Sequence, residues 1–292
     1  MRTGMILIIL LAITVCCARA TFGCVGARPL AMGGAFIGLA DDANATYWNP
    51  AGLIQMPAGA GQVTWMHTSS NRDEINYQDF GAMGMRFDGN GLAPNFAFGA
   101  SYVDQKTLMS LGNNNVIDDE KWYWASFAYD TSKYGVLGLN IKQIDDKAVG
   151  YHLDTDFSFD LSYLYKVSDK ISLGALVQDV NEPKTTSAGF SPITHIRNWR
   201  GGIAYHPASN LVLTLDGYDL TNDAGDQSAR VGGEYIYNNY AIRAGYLGIG
   251  AHSSNGFTFG LGVKKGSTAI DAVMLMGDFD NTIMLSANFT MR

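Results

Sequence analysis

No segment of this chain reaches the roughly 18–20 consecutive apolar residues that a membrane-crossing helix needs. The longest apolar run, Met5 to Cys17, has 13 residues. Cysteine is nearly absent: Cys16 and Cys17 sit in that run, which leaves Cys24 alone and excludes an internal disulfide framework. The five histidines, His67, His152, His195, His206 and His252, show no metal-ligand spacing. There is no G-x-S-x-G nucleophile elbow. Catalytic residues, a metal site and a cofactor are therefore not expected. Cations are outnumbered, 20 Lys and Arg against 27 Asp and Glu, and the net charge of −7 argues against a nucleic-acid partner.

What the chain does have is a leader, much glycine and many aromatics. Met1-Arg2 is a short positive start, and Ala18-Arg19-Ala20 is a small-x-small cleavage site. Residues 1–20 thus read as a secretory signal peptide. Glycine numbers 34, and aromatics make up 12%. Hydrophobic content is 47%, yet the mean hydropathy is near zero. A barrel that alternates lipid-facing with lumen-facing residues produces such an average.

The alternation is visible from Gly61 onward, as about 14 candidate strands. Ile283, Leu285, Ala287, Phe289 and Met291 share one face of the last strand; Ser286, Asn288 and Thr290 share the other. Phe257, Phe259, Leu261 and Val263 alternate with Thr258, Gly260, Gly262 and Lys264. Phe157 to Tyr165, Ala229 to Tyr237 and Tyr240 to Tyr246 repeat the pattern. A soluble sandwich would turn these apolar faces inward, but so many strands would make an oversized core. Trp122, Tyr123 and Trp124, Tyr163 and Tyr165, and Tyr235, Tyr237 and Tyr240 read as interfacial girdles. Connections alternate long and short, with long loops at Gln105–Glu120, after Ile144 and at Asn181–Thr194, and tight turns between. The acidic stretches at 118–120 and 222–226 read as solvated loop. The fold expected is all-β: an antiparallel transmembrane β-barrel of about 14 strands, residues 58–292, in the outer membrane.

Residues 21–57 break the pattern. Arg28-Pro29 suits a helix start, and Leu30, Met32, Ala35, Phe36 and Leu39 fit a short amphipathic helix weakened at Gly33-Gly34. Asp41-Asp42 ends the apolar run. Asn49 then reads as an N-cap with Pro50 at the first helical position. A surface helix-turn-helix with solvated aspartates is the plain alternative.

The segment ARPLAMGGAFIGLADDANATYWNPAGL closely resembles the N-terminal signature of FadL-like outer-membrane proteins, especially the PorV/PorQ branch. The matching pieces are Gly33 to Phe36, Ala40 to Ala43 and Asn49 to Leu53. The resemblance implies a barrel whose N-terminal segment plugs the lumen, with Gly33, Gly34, Phe36, Asp41, Asp42, Asn49 and Pro50 as plug or gating positions. It implies either passage of hydrophobic small molecules or, in the PorV branch, a part in type IX secretion. Outer-membrane lipid, a hydrophobic ligand or secretion-system proteins are the implied partners. The last strand also resembles the signal read by the barrel-assembly machinery. In the lumen the alternation places Asp156, Asp160, Arg200, Asp216, Arg230, Glu234 and Arg243, with Lys142 and Lys264. Arg230 or Arg243 is expected to face Asp41-Asp42. Phe190, Ile193 and Ile196 are the apolar candidates in the longest loop.

Overall fold

A computed structural model describes residues 25–69, 77–87, 95–111, 114–148, 151–152, 156–185, 193–251, 255–278 and 282–291. The expected signal peptide, all three cysteines and Phe190 lie outside them.

Among the described residues fourteen antiparallel strands close into a barrel. They are β1 (Gly61–Ser69), β2 (Tyr77–Arg86), β3 (Phe96–Leu111), β4 (Asn114–Asp130), β5 (Val136–Ala148), β7 (Asp156–Ser168), β8 (Ile171–Gln178), β11 (Asn198–Ala208), β12 (Leu211–Tyr218), β13 (Ser228–Tyr237), β14 (Tyr240–Ile249), β15 (Gly256–Lys265), β16 (Thr268–Leu275) and β17 (Thr282–Met291). The short β6 (Tyr151–His152) extends the edge of β5, and β9 (Lys184–Thr185) pairs with β10 (Ile193–Thr194) inside the β8–β11 connection. Pairing of β1 with β17 closes the ring. Among the described residues each of the fourteen wall strands is paired on both sides, which is the condition for placing strands in hydrocarbon.

The alternation read in the sequence is the alternation of the wall. On β15, Leu261 is 55% exposed and Thr258 is fully buried. Phe257, Phe259 and Val263 share the outward face with Leu261. On β7, Phe157, Phe159, Leu161, Tyr163, Tyr165 and Val167 point out while Ser158, Asp160, Ser162 and Leu164 point in. Ten residue steps at about 3.3 Å, tilted by about 40°, make this apolar band about 25 Å tall. That is the height of a bilayer's apolar layer.

One outward row marks where the band ends. His67, Asp79, Asp104, Lys121 and Asp145 stand opposite one another across β1 to β5. His67 Nδ1 lies 2.7 Å from Asp79. Asp104 accepts from the hydroxyls of Tyr77 and Tyr102 and from Lys121, at 3.1, 2.7 and 3.0 Å. Charged groups in one paired row suit the wet edge of a membrane, not its interior.

Three expectations are corrected here. The stretches 105–120 and 145–147 are largely strand, because β3, β4 and β5 run on past the charged row. Their polar residues stay paired in the ladder, as in Lys106 with Asp119 at 3.2 Å. Trp122 and Trp124 do not belong to an outer girdle: they alternate with the outward Tyr123 and face the lumen. Finally, the helix at Arg28 covers only Ala27–Ala31 (α1), and the chain does not stay helical to Leu39. Gly33 and Gly34 both take positive φ, +64° and +68°, a conformation that turns the chain where an α-helix would continue.

Residues 25–56 lie inside the barrel. After α1 come a second short helix, α2 (Ala45–Trp48), and a 3₁₀ turn, Pro50–Gln55. Phe36, Trp48, Leu30, Met32 and Leu53 are almost completely buried. This excludes the surface helix-turn-helix.

Leu261→Arg puts a cation on the outward face. In phospholipid vesicles it should lower the unfolding free energy by about 2–4 kcal/mol, read from urea titration. An unchanged midpoint would mean that this face does not meet hydrocarbon.

Candidate functional site

The inner segment touches all fourteen strands. Gly26 N–H donates to Met66 Sδ of β1 at 3.2 Å, and Ala43 N–H to Gln62 of the same strand at 2.6 Å. Trp124 of β4 and Asn140 of β5 both donate to the Thr46 carbonyl at 2.9 Å. Ser162 of β7 accepts from Ala51 N–H at 3.0 Å. Ser172 of β8 donates to the Gly38 carbonyl at 2.7 Å. Asp216 of β12 accepts from Ile37 N–H at 2.8 Å, and Thr258 of β15 accepts from Gly33 N–H at 3.0 Å. Contacts with β2, β3, β11, β13, β14, β16 and β17 complete the circuit.

Glycines in the inward rows let the two backbones meet. A Cβ on Gly232 or Gly245 would overlap main-chain atoms of Met32 or Gly33. One on Gly174 would overlap the Ile37 carbonyl, and one on Gly138 would overlap Ala51. These positions are glycine because the backbone of the inner segment occupies the space where a side chain would stand.

Asn49, expected as a cap, is also the join between the segment's two halves. Its Oδ1 accepts from Ala51 N–H at 3.1 Å, as the N-cap of the turn that Pro50 begins. Its Nδ2 donates to the Ile37 carbonyl at 2.8 Å and to the Tyr163 carbonyl of β7 at 3.2 Å. A single buried amide thus fixes first half, second half and wall. Phe36 lies under the Arg28 guanidinium, 5.3 Å from ring centroid to Cζ, and edge-on to Trp48.

The pairing expected for Asp41-Asp42 is corrected. Neither Arg230 nor Arg243 binds them; Arg28 of the segment itself does, at 2.6 and 2.7 Å. Arg28 also grips Glu234 of β13 with two N–H groups, at 3.0 and 2.9 Å. Glu234 in turn accepts from Arg243 at 2.5 Å, and Arg243 reaches Asp271 at 2.7 Å. Arg243 is therefore spoken for by the wall, one link away from the aspartates. Burial lowers the Arg28 pKa, but Asp41, Glu234 and Asp42 more than offset it and hold the guanidinium well above its ordinary value. Arg28 was legible as the sole cation of residues 25–56, whose sole acids are Asp41 and Asp42. Beside this network a cavity of about 310 Å³ opens at the end where the tight turns lie, lined by Arg28, Asp41, Glu234, Arg243 and Lys264.

The other expected lumenal charges form separate groups. Lys142 is clamped by Asp160 and Asp179 at 2.9 and 2.6 Å. Asn140 links Asp160 to the segment through the Thr46 carbonyl. Asp179, just beyond β8, was missed because it lies off the alternating pattern. Arg200 and Arg230 both lie over the Tyr218 ring, at 4.3 and 4.0 Å. Asp156 sits at the strand end and accepts from the Phe157 and Lys184 N–H groups. Lys264 is exposed near the tight turns rather than enclosed. Ile196 is exposed as well. Among the described residues no three His, Cys, Asp or Glu side chains converge as metal ligands.

Arg28→Met removes the cation shared by three carboxylates. The unfolding free energy should fall by about 3 kcal/mol, the low end for a broken buried network because Asp41 is about a third exposed. Equal urea midpoints for the two proteins would show that the network does not hold the segment.

No protein-family model and no curated protein sequence matches the chain. Solved structures do match over nearly its whole length. The toluene transporter TbuX of Ralstonia pickettii superimposes with a TM-score of 0.67 at 14% identity, covering 92% of this chain and 98% of that one. The monoaromatic hydrocarbon channel CymD gives 0.71 at 13% identity, covering 91% and 97%. The toluene transporter TodX of Pseudomonas putida gives 0.64 at 13% identity, covering 93% and 98%. A Pseudomonas aeruginosa FadL homologue gives 0.61 at 12% identity. The secretion branch of the sequence resemblance gains no support from these likenesses. At such identities the likeness is one of fold, and the fold is that of the FadL-type outer-membrane barrel.

Proposed function

We propose that this chain is an outer-membrane barrel that passes hydrophobic small molecules, with residues 25–56 as its plug. The observation that carries the reading is the contact of that segment with all fourteen strands. A barrel filled across its section is not built as an open water channel. Its occupant is largely apolar, and so are inward wall residues such as Met66, Phe80, Val103, Leu275 and Met284. Solved barrels of this fold include two toluene transporters and a monoaromatic hydrocarbon channel. The outward apolar band and the closed ladder support residence in a bilayer. The end with tight turns then faces the periplasm and the end with long connections faces outward.

Within this reading Asn49 is the residue on which gating turns, because its amide joins the two halves of the plug to the wall. Asn49→Ala leaves the Ile37 and Tyr163 carbonyls without this donor and uncaps the turn. Capping losses alone run to about 1 kcal/mol. The variant barrel should show raised single-channel conductance in planar bilayers and altered toluene uptake into proteoliposomes. Conductance and uptake both equal to the parent protein's would refute the gating role.

A further inference from the structure

Both described ends of the β8–β11 connection stay against the barrel. Asp179 reaches back to Lys142 of β5, Val180 N–H donates to the Phe159 carbonyl of β7 at 2.8 Å, and the Asn181 amide donates to the Phe157 carbonyl at 2.7 Å. Farther on, the His195 ring meets Trp122 of β4, with centroids 6.2 Å apart and planes at 78°. Strands β5, β7 and β8 separate β4 from β11 in the ring. Residues 179–181 thus lie against β5 and β7, and His195 lies against Trp122 of β4, at the barrel end that bears the long loops.

Trp122 is an unusual neighbour. It faces the lumen between Val103 and Ile144, its cross-strand neighbours, both buried. The Lys142 ammonium lies 5.7 Å from its ring centroid, a position that draws electron density from the ring and leaves the N–H edge more positive. That indole N–H is buried and has no acceptor among the described residues; His195 Nε2 is likewise buried and unpaired. Trp124, two residues on, shows the usual state, with its N–H on the Thr46 carbonyl. A buried donor without a partner is costly, and here one sits beside the His195 ring. Lys142 is already held by two carboxylates, so it offers no charge for an anion.

We propose that Trp122 and His195 form a recognition site for a neutral, planar aromatic molecule that carries a hydrogen-bond-accepting oxygen. The indole N–H takes the oxygen, and the imidazole covers the ring. This rests on the passage reading above and names its cargo class: an aryl ketone or ether is favoured over a bare hydrocarbon of the same shape.

The test uses the whole barrel in lipid nanodiscs, with acetophenone and ethylbenzene as matched probes and empty nanodiscs as the blank. Trp122→Phe keeps an aromatic ring and removes the donor. It should weaken acetophenone roughly 5- to 10-fold, the worth of about one hydrogen bond, and ethylbenzene less than 2-fold. Heat-dependent gel mobility checks that the variant barrel is folded. Infrared spectroscopy of the parent protein gives a reading that needs no variant: bound acetophenone should show its carbonyl stretch shifted down from the value in hydrocarbon. An unshifted carbonyl, or equal weakening of both probes, overturns the proposal and leaves the passage reading standing. If the parent protein binds neither probe, the proposal falls as well, and the passage reading is decided separately by toluene uptake into proteoliposomes.

Discussion

Close approach between two backbones governs this molecule. The inner segment runs so near the wall that side chains cannot fit between them, and glycine stands at the points of contact. Met32 and Gly33 lie on Gly232 and Gly245, Ile37 on Gly174, and Ala51 on Gly138. Main-chain groups of the segment would be stranded at that depth. They are instead met by hydroxyls, amides and carboxylates from the inward rows, as with Gly33 by Thr258 and Ile37 by Asp216. Wall and occupant have complementary surfaces, small where the other is backbone and polar where the other has a bare amide or carbonyl.

Electrostatics follow from the same enclosure. Charges inside a barrel cannot be left unpaired cheaply, so they gather where a partner of opposite sign is within reach. Arg28 serves three carboxylates and carries the segment's connection to β13. Lys142 serves two and ties the β8–β11 connection to β5. One network stands near the tight turns, and the other near the long loops. Between them Asn49 holds the two halves of the segment to β7 and to each other.

The barrel was legible in the sequence because period-2 alternation is a local property, and each strand shows it by itself. Phe257, Phe259 and Leu261 could be assigned to one face without knowledge of any neighbour. Helical starts at Arg28-Pro29 and at Asn49-Pro50 were legible for the same reason. Pairings were not, because they depend on which strands curve round to face the segment. Arg243 has the right sign for Asp41 and Asp42, but Glu234 and Asp271 stand closer to it. Loop lengths misled at Gln105–Glu120, where polar sequence continues as paired strand beyond the apolar band. Trp122 and Trp124 misled because aromatic residues near a strand end serve either a girdle or a lumen, and only parity relative to Tyr123 decides.

Native-state hydrogen exchange tests the seating of the inner segment most directly. With the barrel folded in nanodiscs, amides of residues 27–56 should exchange about as slowly as those of β7 and β15, since wall side chains and intrasegment bonds hold them. Exchange of that segment within seconds, while the strands stay protected, would contradict the account.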